Sequence, residues 1–169
     1  MNKGYFVKTP ITSNLEDYLK AILLISASNG SAHASAVAEW MGVTRASVTG
    51  ALRSLADRDL ITYHPYQPVM LTEAGRQVAQ ACVDRHQFLH GFFRDQLGIE
   101  DSEADEVACR VEHVASENVL SRMAEFIRYR AECRELELSW DADGTLRCSR
   151  EPLTVNCSSC QRRRISVSD

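Results

Sequence analysis

The segment at residues 109–113 combines three side-chain types that bind transition metals, since it reads Cys-Arg-Val-Glu-His. On a helix, residues three and four positions apart share a face, so Cys109, Glu112 and His113 would present a thiolate, a carboxylate and an imidazole together. These ligands suit Fe(II), Zn(II), Co(II) or Mn(II). The spacing alone favours a more ordinary interpretation, in which a buried cysteine neighbours a surface Glu-His pair.

Further side chains of metal-ligand type lie on other segments. His86 and His90 are four residues apart and would share a helix face. Asp105 adds a carboxylate close in sequence to the 109–113 segment. Asp17 lies in an apolar segment near the N-terminus, where a carboxylate stabilised by the helix dipole is the simpler explanation.

A second set of residues has the types that contact DNA. Gly42 is placed to end one short helix and Thr44 to cap the next, and two short helices joined by a tight glycine turn are typical of a helix-turn-helix. In that motif the start of the second helix reaches base edges. The DNA-contacting candidates, on this helix and on the hairpin after it, are Thr44, Arg45, Ala46, Ser47, Thr49, Arg53, His64 and Tyr66. The alternative is a three-helix scaffold that binds another protein.

The hydrophobic pattern predicts the elements that position these side chains. Apolar residues at helical spacing predict helices over residues 15–28, 73–98 and 102–131, besides the two short helices around Gly42. Prolines at 65 and 68 exclude a central strand over residues 60–71 and favour a hairpin, the wing of a winged helix. The alternating runs RELELSW and TLRCS predict a second hairpin.

These elements predict a mainly α fold in three parts. Residues 1–76 form a winged helix-turn-helix, 77–131 a helical metal-binding and dimerisation domain, and 132–169 a cysteine-containing extension. The net charge of −4 counts against a nucleic-acid binder, but residues 1–80 hold seven basic and six acidic residues, whereas 81–130 hold six and ten. The acidic residues therefore lie mostly outside the predicted winged helix-turn-helix of residues 1–76, which we call the reading head. A DNA-binding domain needs only a local basic face.

Location also follows from composition. No stretch of the 169 residues approaches the apolar length of a membrane span, and the N-terminus has no apolar signal-peptide region. We therefore expect a cytoplasmic protein without a membrane partner. Its six cysteines would then be thiols or metal ligands rather than disulfides.

From about residue 13 to residue 130 the chain resembles the DtxR/MntR family of metal-dependent repressors. The matching stretches are LEDYLKAI, VAEWMGVTRASVTGALRSLADRDLI, LTEAGR, DRHQFLHGFF and DEVACRVEHVASENV, of which the last is the most specific. The resemblance implies a homodimer that binds double-stranded operator DNA when Fe2+ or Mn2+ is bound, with Zn2+ or Co2+ acceptable in vitro. The apolar faces within residues 78–130 would form the dimer surface.

The resemblance also implies a ligand set. It places metal ligands at Asp17, as in manganese-type members, at Cys109, as in iron-type members, and at Glu112, His113 and His86. A second, iron-type site would use His86, His90 and Asp105. Manganese-type members have a glutamate where this chain has Lys20, which makes their usual paired-ion site doubtful. About 38 residues remain after the matched region, too few for the SH3-like domain of larger iron-type members.

Two other classes of function compete with a metal-switched repressor. One is a winged-helix regulator whose metal site has decayed and which responds to another ligand or to thiol oxidation. The other is a metalloenzyme, which is disfavoured because the sequence has no His-Glu-x-x-His motif and no base, nucleophile or oxyanion element accompanies the metal-binding residues. We therefore predict that the chain is not an enzyme.

Four cysteines lie beyond the matched region. Cys157 and Cys160 form one close pair, and Cys133 or Cys148 would complete a structural zinc site. The alternative is a loose tail with incidental thiols.

Overall fold

The structure is a computed structural model that describes residues 11–132, 138–140 and 146–148. Most of these residues are helical. The helices are α1 (Ser13–Asn29), α2 (Ala34–Met41), α3 (Arg45–Ala56), α4 (Glu73–Gly91), α5 (Asp101–Val111) and α6 (Glu117–Glu132). The strands are β1 (Ile61–Thr62), β2 (Met70–Leu71), β3 (Leu138–Trp140) and β4 (Leu146–Cys148). The predicted mainly α fold is confirmed.

Helices α2 and α3 form the predicted helix-turn-helix. Gly42 has a φ of 64° and its N–H donates to the carbonyl groups of Ala38 and Glu39, which ends α2 in the left-handed conformation that glycine adopts at little cost. Thr44 then caps α3, because its Oγ1 accepts a hydrogen bond from the backbone N–H of Ser47 at 3.2 Å. Both local signals in the sequence acted as expected.

Strands β1 and β2 form the wing that follows α3. They are antiparallel, with Ile61 opposite Leu71 and Thr62 opposite Met70. At the tip Tyr66 has a φ of 67° and a fully exposed ring. The backbone N–H of Val69 donates to the carbonyl of Ala32 at 2.7 Å. This bond attaches the wing to the segment between α1 and α2.

Two hydrophobic clusters hold the described helices together. The larger one is the core of the reading head, and its largest fully buried side chains are Leu19, Ile22, Val37, Val48, Leu52 and Leu55. The smaller one joins α4, α5 and α6 through Leu89, Ala108 and Leu120. Helix α1 also packs along α4, so it connects the reading head to the helical domain.

The start of α4 packs closely against the wing. Thr72 caps α4 by accepting from the N–H of Gly75 at 3.1 Å, and its hydroxyl donates to the carbonyl of Asp59 at 2.7 Å. A Cβ atom at Gly75 would lie 1.8 Å from the carbonyl oxygen of Leu60. Only glycine allows this approach without a backbone shift.

Two predicted helices differ from the structure. Residues 73–98 were predicted as one helix, but the α-helix ends at Gly91 and a π-helical turn follows over residues 92–96. The continuous helix predicted over 102–131 is wrong, since α5 ends at Val111 and α6 begins at Glu117. The N–H groups of Val114 and Ala115 both donate to the carbonyl of Val111, which closes a tight turn that apolar periodicity does not report.

No helix within the described residues is both apolar and long enough to cross a membrane.

Candidate metal centre

Three of the predicted ligands lie together at the junction of α1 and α5. One ligand atom each from Asp17, Glu112 and His113 lies within 4.8 Å of the other two. His113 Nε2 is 3.2 Å from Asp17 Oδ1 and 3.6 Å from Glu112 Oε1. Ligand bonds of roughly 2.0–2.2 Å put neighbouring ligand atoms about 3 Å apart. Two carboxylates and an imidazole at this spacing therefore fit one divalent transition-metal ion.

The turn after α5 positions Glu112 and His113. Glu112 caps α5 in a helical conformation, and its side chain is only 1% exposed. Asp17 lies one turn into α1, next to the buried Tyr18 and Leu19, and its carboxylate reaches His113 from the other side. The centre thus requires the packing of α1 near the end of α5, two elements that are far apart in the sequence.

Glu112 has two further partners. Lys20 Nζ donates to Oε1 at 3.0 Å and to Oε2 at 3.3 Å, and His86 Nδ1 lies 2.9 Å from Oε2. The other ring nitrogen of His86 lies 2.9 Å from Asp105 Oδ1. The buried carboxylate of Glu112 therefore contacts both a lysine ammonium and an imidazole.

The pKa values of these groups reflect that arrangement. Burial raises the pKa of Asp17, and the opposing charge of His113 does not cancel the effect. Burial alone would also raise the pKa of Glu112, but the bond from His86 and the charge of Lys20 outweigh it and hold the pKa below its usual value. The bond to Glu112 raises the pKa of His86. Glu112 is therefore ionised and ready to bind a cation at neutral pH.

A buried ion pair between Glu16 and Arg85 lies next to His113 of the centre. It was not predicted from the sequence. Arg85 Nη2 donates to Glu16 Oε2 at 2.9 Å, and both side chains are almost fully buried. The same Glu16 oxygen is 3.8 Å from His113 Nδ1. The spacing of these two residues could have indicated the pair. Glu16 lies three residues before the buried Leu19 on α1. Arg85 lies three residues after the buried Cys82 and four before the buried Leu89 on α4. Charged residues at apolar positions of two helices indicate a buried pair.

The remaining predicted ligands occupy other positions. Cys109 is exposed, and its thiol is not part of the group formed by Asp17, Glu112 and His113. His86 meets Asp105, as predicted for the second site. His90 Nε2 instead lies 3.2 Å from Asp101, a residue that the sequence analysis did not name.

The DNA-contacting candidates lie on the exposed face of the reading head. Arg45, Ala46, Ser47 and Arg53 are exposed on α3, as are Thr44 before it and His64 and Tyr66 on the wing. Thr49 is half-buried, and its hydroxyl donates to the carbonyl of Arg45 at 2.9 Å. Because the hydroxyl proton is used in this bond, the Thr49 oxygen could only accept a hydrogen bond from DNA.

The predicted zinc site lies largely outside the described residues. Cys133, Cys157 and Cys160 are not among them, and Cys148 is described only as the last residue of β4. The antiparallel pairing of β3 with β4 confirms the second hairpin, while the zinc site stays a prediction.

Two protein-family models match the chain. The model described as "Iron dependent repressor, N-terminal DNA binding domain" matches residues 10–69. The model described as "Iron dependent repressor, metal binding and dimerisation domain" matches residues 72–140. Together they cover the reading head and the helical domain.

Curated relatives and solved structures agree with these matches. The chain is 30% identical over 118 residues to an uncharacterised HTH-type transcriptional regulator of Methanocaldococcus jannaschii, covering 69% of this chain and 94% of the relative. It is also 30% identical over 118 residues to the HTH-type transcriptional regulator MntR of Geobacillus kaustophilus, covering 70% and 83%.

Among solved structures, that of the manganese regulator SloR superposes with a TM-score of 0.60 at 28% identity, covering 70% of this chain and 55% of that one. A manganese-dependent transcriptional repressor in complex with manganese superposes with a TM-score of 0.57 at 28% identity, covering 67% and 52%. The chain therefore spans about half the length of these two structures.

Proposed function

Because the chain belongs to the DtxR/MntR family of metal-dependent transcriptional repressors, we propose that one divalent metal ion bound by Asp17, Glu112 and His113 switches on its binding to operator DNA. The chain is a DNA-binding regulator and not an enzyme. The observation that carries the proposal is the origin of the three ligands. Asp17 comes from α1 of the reading head, whereas Glu112 and His113 follow α5 of the helical domain.

A metal ion that binds both parts stabilises one arrangement of the reading head. Metal affinity for that arrangement becomes a free-energy bias toward it. We further propose that the chain acts as a homodimer, since its matched domain is one of metal binding and dimerisation. In a two-fold dimer the arrangement sets the separation of the two α3 helices, which must equal the spacing of the operator half-sites.

The ligand chemistry favours Mn2+ or Fe2+ as the physiological ion. Carboxylate oxygens are hard ligands that suit Mn2+, and imidazole is accepted by iron and manganese sites alike. The thiolate of Cys109, if it turned toward the ion, would shift the preference toward Fe2+ or Zn2+. When bound, the ion supplies a positive charge that Asp17 and Glu112 share, so these carboxylates no longer repel each other.

The test is metal-stimulated operator binding by the Asp17→Ala and His113→Ala variants. We expect both to lose the stimulation by Mn2+ or Fe2+ in anaerobic gel shifts while retaining the fold, because each removes one of three ligands. Glu106→Ala is the matched control, since Glu106 is exposed on α5 and outside the group of three. Metal-dependent shifts that are unchanged in both variants would contradict the proposal.

A further inference from the structure

Lys20 brings a positively charged side chain into the centre. Its ammonium group reaches across 92 positions of sequence to both carboxylate oxygens of Glu112, at 3.0 and 3.3 Å. The Lys20 side chain is 17% exposed and that of Glu112 is 1% exposed. A charge pair with so little solvent around it is screened far less than a surface pair.

The ammonium group contacts a carboxylate oxygen that a second metal ion would need as a ligand. A second ion would take Glu112 Oε2 and His86 Nδ1, which are 2.9 Å apart, with Asp105 beyond the ring at 2.9 Å from Nε2. Lys20 Nζ already contacts Oε2 from this group. Two cations that contact the same carboxylate oxygen repel each other strongly in a partly buried site.

The local charge balance gives the same result. Asp17, Glu112 and Asp105 contribute three negative charges and Lys20 one positive charge, while Glu16 and Arg85 neutralise each other. With His113 neutral, as metal binding requires, these three carboxylates and Lys20 carry a net charge of −2 before His86 is counted. One divalent ion balances that charge, and a second would leave an excess of two.

We propose that the Lys20 ammonium takes the place of a second cation and limits the centre to one divalent ion per subunit. This inference rests on the proposed metal site at Asp17, Glu112 and His113. Lys20 also holds Glu112 in position before the ion arrives, so α1 and α5 are partly connected without metal.

The experiment counts Mn2+ ions on the full-length protein by anaerobic equilibrium dialysis and records their electron paramagnetic resonance. Mn2+ is the probe because its preference for oxygen ligands keeps it from cysteine thiolates elsewhere in the chain. We expect one ion per subunit for the wild type and for Lys20→Arg. We expect two for Lys20→Glu, with an exchange-coupled signal from ions about 4 Å apart.

Lys20→Gln provides a second measurement that does not depend on the charge reversal. Because it removes the cationic repulsion and the competing charged bond to Glu112, the first Mn2+ should bind about tenfold more tightly or better. Arg122→Glu, a charge reversal at an exposed position of α6, should leave both the count and the affinity near those of the wild type.

Two ions on the wild type would overturn the inference. So would one ion on a folded Lys20→Glu variant, or an unchanged Mn2+ affinity in Lys20→Gln. If the wild type bound no Mn2+, or bound it without effect on operator binding, the proposed function would fail instead.

Discussion

At the scale of residues, Glu112 is the group on which the other charges converge. Lys20 comes from α1, His86 from α4 and His113 from the same turn as Glu112 itself. A buried carboxylate is costly unless it is paired, and here every nearby element supplies a partner. These partners offset the cost of burying the Glu112 carboxylate.

The two cysteines with described side chains differ in a way that chemical modification would detect. Burial and the charge of Glu16 raise the pKa of Cys82 to about 12, so about one molecule in 10,000 is a thiolate at pH 8. Burial raises the pKa of Cys109 as well, but this thiol is exposed. We expect iodoacetamide to alkylate Cys109 of the native protein far faster than Cys82, as measured by peptide mass spectrometry.

In 6 M guanidinium the two rates should become similar, because unfolding removes the burial that separates them. The native rate at Cys82 should rise with pH, since its thiolate fraction grows about tenfold per pH unit below the pKa. Comparable native rates at pH 8 would contradict the prediction. Any thiol-based control of this protein would then have to include Cys82.

At the scale of elements, α1 is the helix that connects the helical domain to the reading head. It carries Glu16, Asp17 and Lys20 toward the helical domain, and its Leu19 and Ile22 lie in the core of the reading head. A rigid helix transmits a shift at one face to the other because its backbone hydrogen bonds are closed internally. In the proposed mechanism, a bound metal ion would therefore act on α3 through the packing of α1.

The contact between the wing and α4 gives a stability prediction. Gly75→Ala would place a Cβ atom 1.8 Å from the carbonyl oxygen of Leu60, and we expect a loss of about 3 kcal/mol or more in the free energy of unfolding. Gly50→Ala is the matched control, since nothing lies within 4 Å of its Cβ position in α3. It should gain about 0.5–1 kcal/mol from helix propensity.

Urea denaturation of the metal-free protein measures both values. A Gly75→Ala variant as stable as the wild type would show that the chain can open this contact without cost.

At the scale of the whole molecule, the helical domain leaves apolar surface uncovered in the single chain. Val119 and Phe126 on α6 are about half exposed, and Val114 in the turn before it is more exposed still. Val119 and Phe126 are seven positions apart, so they lie on the same helix face. Exposed apolar groups at regular spacing are typical of an association surface, which agrees with the proposed homodimer.

Charged substitutions on this face should therefore dissociate the dimer. We expect Phe126→Asp and Val119→Asp to elute as single chains of 18.9 kDa in size-exclusion chromatography with light scattering. The wild type should elute with twice that mass. Because a two-fold interface contains the same surface from both subunits, each substitution introduces two aspartates into it. Both variants should also lose operator affinity, because one subunit reads only one half-site.

Arg128→Asp is the control, since the Arg128 side chain is 63% exposed and lies on a different side of α6 from Phe126. Its mass should remain that of a dimer. Dimers of normal affinity in both apolar-face variants would mean that another surface mediates association.

The sequence by itself determined the features that depend on local interactions. The turn at Gly42, the caps at Thr44 and Thr72 and the proline-containing wing each depend on residues within a few positions of one another. The periodicity also located the helices, although it missed the break between Val111 and Glu117. A tight turn after Val111 forms that break. Apolar periodicity did not reveal it, because the amphipathic pattern continues on both sides of the turn.

Only the tertiary structure decided which ligand candidates meet. Spacing grouped Cys109 with Glu112 and His113, but the fold leaves Cys109 exposed and brings Asp17 to the other two. It also placed Lys20 on Glu112 across 92 positions. A one-dimensional pattern reports neighbours along one helix, whereas these contacts arise from the packing of α1 near α5, which side chains spread over the whole core determine together.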